Sequence, residues 1–87
     1  MVERVFACSD IVEVRAEIPD GHKHVRTTVT LASGEALVFQ EATIAAIFRA
    51  FATVKTHPVK KSVVLKGSRL SERKEGYAEW QLVEEQV

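Results

Sequence analysis

Strand–strand–strand–helix–strand–strand is the element order that the sequence predicts, and with it an α+β fold: a mainly antiparallel sheet with one helix packed on one face. Three observations predict it. Residues 11–39 alternate apolar and polar side chains between turn residues, and residues 40–56 form the one long stretch with a helical period. Beyond them, residues 55–74 carry seven basic residues and one acid, whereas residues 75–87 carry four acids and no base. A charge split of that kind folds onto itself as a hairpin.

The first ten residues satisfy two periods at once. Val2, Val5 and Phe6 have helical spacing, while Val2, Arg4, Phe6 and Cys8 alternate as a strand does. No element is assigned there. From Ile11 the alternation is clean: Val12, Val14, Ala16 and Ile18 point to one face, and Glu13, Arg15 and Glu17 to the other. Pro19-Asp20-Gly21 then reverses the chain, because proline presets φ, aspartate accepts local hydrogen bonds and glycine tolerates positive φ. A second strand over His24–Leu31 puts Val25, Thr27, Val29 and Leu31 inward. Setting Val14 opposite Val29 also sets Glu17 opposite Arg26, so apolar and charge matching agree on one register.

Ala32-Ser33-Gly34 forms the next reversal, read as a three-residue loop with Gly34 in the left-handed region. That loop turns Leu37 and Phe39 inward, opposite Val29 and Thr27; a two-residue loop would expose them. The helix follows over residues 40–56. Ile44, Ile47, Phe48, Phe51 and Val54 form its apolar stripe, expected to face the core. Ala42, Ala45, Ala46, Arg49, Ala52 and Thr53 lie on the other side. Pro58 disfavours helical geometry at His57 and ends the helix. The last hairpin, folded about residues 71–74, sets Lys66 opposite Glu79, Lys61 opposite Glu84 and Lys60 opposite Glu85. The same register sets Leu65 against Trp80 and Val63 against Leu82.

The chain has 87 residues, enough for a single domain over 1–87 with one modest core. A formal net charge of zero removes any overall pull toward nucleic acid or an anionic membrane, and also removes the self-repulsion that keeps copies apart. A lone cysteine, Cys8, excludes an internal disulfide and fits a reducing compartment. With no apolar run of leader or membrane-span length, a cytoplasmic protein is expected.

Candidate chemistry is sparse. Asp20, His22 and His24 share a face of an extended segment and are the weak candidates for a metal site. Structural metal sites draw four ligands from closely spaced pairs, and the second pair is missing. Cys8-Ser9-Asp10 contains nucleophile types without a base placed by spacing. Arg69, Arg73, Lys74 and Tyr77 gather at the tip of the second hairpin and are the candidates for phosphate contact, diluted by Glu72 and Glu75. No catalytic residue and no cofactor are expected.

What stands out is apolar surface without an assigned partner. The alanine side of the helix (Ala42, Ala45, Ala46, Arg49, Ala52, Thr53) is the first candidate for self-association, since small side chains permit close helix approach. The outward strand residues Ile11, Val38, Val64 and Val83 are the second. These features point to a non-catalytic interaction or adaptor module, homodimeric, with another copy or a protein as partner. Weak nucleic-acid binding and metal or small-ligand binding are the alternatives.

Overall fold

The computed structural model describes residues 2–69 and 80–85. Among them are five strands in two antiparallel sheets and one helix, an α+β fold in the order read from the sequence. The chain divides into two compact units, Met1–Glu41 and Ala42–Val87.

The first unit is a three-stranded meander of β1 (Ile11–Glu17), β2 (Arg26–Leu31) and β3 (Ala36–Gln40), in the spatial order β1-β2-β3. Val14 stands opposite Val29 and Glu17 opposite Arg26, the register that the two matching patterns required. Pro19 to His22 forms the tight reversal: the His22 N–H donates to the Pro19 carbonyl at 2.9 Å, and Gly21 takes φ of 80°. The second reversal is the bulged three-residue loop. Gly34 takes φ of 93°, its N–H donates to the Leu31 carbonyl at 2.9 Å, and the Leu31 N–H donates to the Glu35 carbonyl at 2.8 Å. As that loop demands, Val29 faces Leu37 and Thr27 faces Phe39. Leu37 and Phe39 are half-buried, Val38 is exposed, and Thr27 and Leu31 are buried.

Two details of β1 depart from the simple alternation. A register shift between Ile11 and Glu13 sets Ile11 opposite Leu31, on the side expected for Val12. Ile11 is half-buried there, so it is not the outward residue that the sequence suggests, while the bulged Val12 is 70% exposed. Val14, Ala16 and Ile18, expected inward, are exposed as well. Ahead of β1, the ambiguous segment enters through a 3₁₀ turn at Cys8–Asp10, where the Asp10 carboxylate accepts the Ala7 N–H at 2.8 Å.

The second unit opens with α1 (Glu41–Thr56), whose first residue belongs to the meander's unit. It ends where the proline dictates. The Thr56 hydroxyl donates back to the Ala52 carbonyl at 2.8 Å, and the His57 ring Nδ1 accepts the N–H groups of Val59 and Lys60 at 3.1 and 2.7 Å. The helix's burial departs from the expected one: of the apolar stripe, Ile44 and Val54 are half-buried but Ile47, Phe48 and Phe51 are exposed. Ala46 is its buried residue, at 3% exposure, whereas Phe48 and Phe51 are 67% and 61% exposed.

The strands β4 (Leu65–Arg69) and β5 (Trp80–Glu84) form a separate two-stranded sheet. Their register corrects the expected one by four residues: Leu65 faces Glu84, Gly67 faces Leu82 and Arg69 faces Trp80. A slip of an even number of residues keeps every side chain on its original face. Leu65, Trp80 and Leu82 therefore still share a side, with Leu65 and Leu82 half-buried. The expected partner Glu79 and the reversal at residues 71–74 lie outside the described residues.

Backbone conformation, not space, decides which glycines resist substitution. A Cβ added at Gly34 or at Gly67 meets nothing within 4 Å, but only Gly34 has positive φ. Gly34→Ala is expected to cost about 1–2 kcal/mol, and Gly67→Ala in extended β4 to be neutral or to gain up to about 1 kcal/mol. Urea unfolding of the two variants checks this; equal midpoints would refute it.

Candidate functional site

The outward side of α1 carries exposed apolar side chains at Ile47, Phe48 and Phe51. Glu41, Ile44, Phe48, Phe51 and Lys55 follow one another at intervals of three and four residues, the spacing that keeps side chains on a single helix face. Ile47 flanks this line and is 49% exposed. The Phe48 and Phe51 rings lie 6.4 Å apart at an interplanar angle of 38°, a tilted pair that presents both rings to solvent. An acid opens the line and a base closes it.

The alanine-side residues separate into three groups. Ala42, Ala45 and Arg49 are exposed, Ala52 and Thr53 are half-buried, and Ala46 is buried within the chain. Ala45 and Ala52 border the Phe48 line, so part of that side continues the exposed surface. Of the outward strand residues, Val38, Val64 and Val83 are 56%, 48% and 47% exposed. Phe48 and Phe51 themselves are the residues that the sequence reading assigned to the core. The signal that finds them is the Glu41–Lys55 bracketing of the apolar line, which a core-facing stripe does not require.

Ionic groups near the second sheet are answered locally. Lys60 pairs with Glu84, and Lys66 Nζ lies 2.8 Å from Glu85 Oε1. Lys60 holds the Glu84 carboxyl below the usual carboxylate range, first by hydrogen bonding and then by charge; burial opposes this slightly, and Arg49 of α1 adds a smaller lowering. Arg49 thus sits within electrostatic reach of β5. Of the basic hairpin-tip candidates, Arg69 is exposed at the end of β4, opposite Trp80. Arg73, Lys74 and Tyr77 lie outside the described residues.

The histidine turn has a local assignment. His24 Nδ1 lies 2.7 Å from Glu41 Oε2, and the same oxygen accepts the Val25 N–H at 3.2 Å. The Glu41 carboxylate therefore ties the entry of β2 to the first residue of α1. Asp20 and His22 are exposed, and among the described residues no cluster of three histidine, cysteine or acidic side chains has metal-binding geometry.

A shallow cleft of about 320 Å³ lies between Arg4–Phe6 and Leu31–Ser33, with Asp10 at its side. Its ionic groups are engaged: Arg4 stands 5.1 Å above the Phe6 ring and 3.3 Å from Glu35, and Asp10 caps the 3₁₀ turn. Cys8 is exposed, with Ser9 beside it in that turn. Among the described residues, no helix is long and apolar enough to cross a membrane.

Comparison with protein-family models, with characterised proteins and with solved structures finds no match for this chain.

The Lys60–Glu84 pair has a measurable signature. A lowered native pKa means that the pair's contribution is complete above the ordinary carboxylate value and is lost as pH falls through the native value. Lys60→Met is expected to raise the Glu84 pKa back toward that ordinary value and to remove this part of the acid dependence. A carboxyl-carbon NMR titration reads the shift directly; an unchanged Glu84 midpoint would show that the lysine does not set it.

Proposed function

We propose that the chain is a small non-catalytic interaction module that acts as a homodimer, with the outward side of α1 as its contact surface. One observation carries this reading: a tandem of phenylalanines on a regular helix is left 61–67% exposed, while the helix withdraws an alanine from solvent. Isolated exposed apolar residues are ordinary, but a contiguous aromatic line with charged ends is the form of an interface.

The line is self-complementary when two copies of α1 run antiparallel about a twofold axis at Phe48. The two Phe48 rings then meet, Ile44 stands opposite the partner's Ala52, and Phe51 opposite the partner's Ala45. Large side chains face small ones, as close helix packing prefers. Glu41 comes beside the partner's Lys55 at both ends, so the charges oppose in this orientation and would repel in a parallel one. The zero net charge of the chain places no long-range barrier against the encounter.

Magnitudes set the expected strength. Covering Ile47, Phe48 and Phe51 gains on the order of 1–2 kcal/mol per side chain, so six side chains supply roughly 6–12 kcal/mol. Association itself costs an estimated 4–15 kcal/mol. The dimer is therefore weak and concentration-dependent.

Light scattering behind gel filtration tests the reading. Wild type is expected to move from 9.7 kDa toward twice that mass as concentration rises through the micromolar range. Phe48→Glu, at an exposed site that spares the fold, is expected to need a higher concentration than wild type to reach the same mass. Lys55→Glu sets like charges together and is expected to weaken association several-fold, less at high salt, in line with about 0.2–1 kcal/mol per exposed pair. A Phe48→Glu variant that associates as wild type does would exclude this surface.

A further inference from the structure

The outer edge of β3 is unpaired among the described residues, an observation independent of the α1 face. The Leu31–Glu35 hydrogen bond at the loop fixes which backbone groups of β3 turn toward β2. Counting along the ladder, Leu37 and Phe39 exchange hydrogen bonds with Val29 and Thr27. The N–H and C=O groups of Ala36, Val38 and Gln40 therefore point away from the sheet. All three residues are exposed, and among the described residues no hydrogen-bond partner meets their outward groups. The Gln40 carbonyl is the exception, because it begins the hydrogen bonding of α1.

The two edges of this sheet are built differently. On β1 the edge is guarded by Glu13, Arg15 and Glu17 and by the bulge after Ile11. Charges and bulges are the devices that keep sheet edges from pairing. On β3 the sequence is Ala-Leu-Val-Phe-Gln, with neither charge nor bulge nor proline. Its β2 neighbours on the Val38 face are the uncharged Thr28 and Thr30, with Arg26 opposite Gln40 at the strand's end.

We propose that β3 pairs antiparallel with β3 of a second copy, about a twofold axis at Val38, joining two three-stranded sheets into one of six strands. Each Val38 N–H donates to the carbonyl of the partner's Val38, and each Gln40 N–H donates to the carbonyl of the partner's Ala36. This gives four backbone hydrogen bonds and a Val38–Val38 contact at the centre. The next residues outward, Glu35 and the partner's Glu41, would come near one another. Glu35 is already ion-paired to Arg4 at 3.3 Å, and Glu41 is hydrogen-bonded to His24 at 2.7 Å, which tempers their repulsion.

Residue-resolved amide exchange of the full chain, read at low and at high protein concentration, tests the pairing. The Val38 and Gln40 amides are expected to slow by about tenfold or more on concentration, while those of Leu37 and Phe39, bonded to β2 in either state, hold their rates. Phe48→Glu should leave this protection in place, which separates edge pairing from helix pairing. Val38→Lys should abolish it, with thermal unfolding monitored by circular dichroism to establish that the variant is folded. A wild-type Val38 amide that exchanges freely at every concentration overturns the proposal whether or not α1 dimerises. So does Val38 protection that arises only when an unrelated extended peptide is added.

Discussion

The loop at residues 32–34 is the constraint on which the meander depends. Only a residue without a Cβ takes φ near 93° at little cost, and Gly34 supplies it. With that conformation in place, Leu31 bonds Glu35, and the register of β3 against β2 has no remaining freedom. The consequence reaches every residue of β3. Leu37 and Phe39 turn to the side of Thr27 and Val29, Val38 turns outward, and the hydrogen-bonding groups of residues 36, 38 and 40 are left along an open edge. One backbone angle thus decides both what the strand buries and what it offers.

The helix teaches a different lesson. Periodicity identifies which residues share a face, but it does not identify the body that the face meets. Ile44, Phe48 and Phe51 have the spacing of a core stripe and equally of a seam between two helices. Alanine, for its part, reads as either surface or close packing. The structure withdraws Ala46 and leaves the phenylalanines exposed, so the stripe that the sequence assigns to folding is the one on which we propose assembly. Part of the alanine side retains its proposed role: Ala45 and Ala52 border the aromatic line and match its bulk with small residues.

The C-terminal hairpin shows how weakly exposed charge specifies register. Basic and acidic halves do meet, as Lys60–Glu84 and Lys66–Glu85 attest, but not in the alignment that charge and apolar matching jointly favoured. Exposed pairs contribute a few tenths of a kcal/mol to roughly 1 kcal/mol each, and long lysine side chains reach diagonal partners as readily as opposite ones. Apolar burial cannot arbitrate either, since a slip of four residues returns Leu65, Trp80 and Leu82 to the same face. The meander escaped this ambiguity because its loop left a single register open.

Local chemistry was therefore legible in the sequence by itself: five strands and a helix in order, two glycine turns, the β1–β2–β3 register, and the end of the helix before Pro58. Each is set by interactions within a few residues, or by a side-chain alternation that a single loop makes unique. Tertiary structure alone decided which side of α1 is withdrawn, where β5 aligns on β4, and that His24 is bound to Glu41 rather than grouped with Asp20 and His22. Those outcomes depend on which of two compatible surfaces finds a partner across long stretches of chain. Spacing in a sequence records compatibility, and only the folded chain makes the choice.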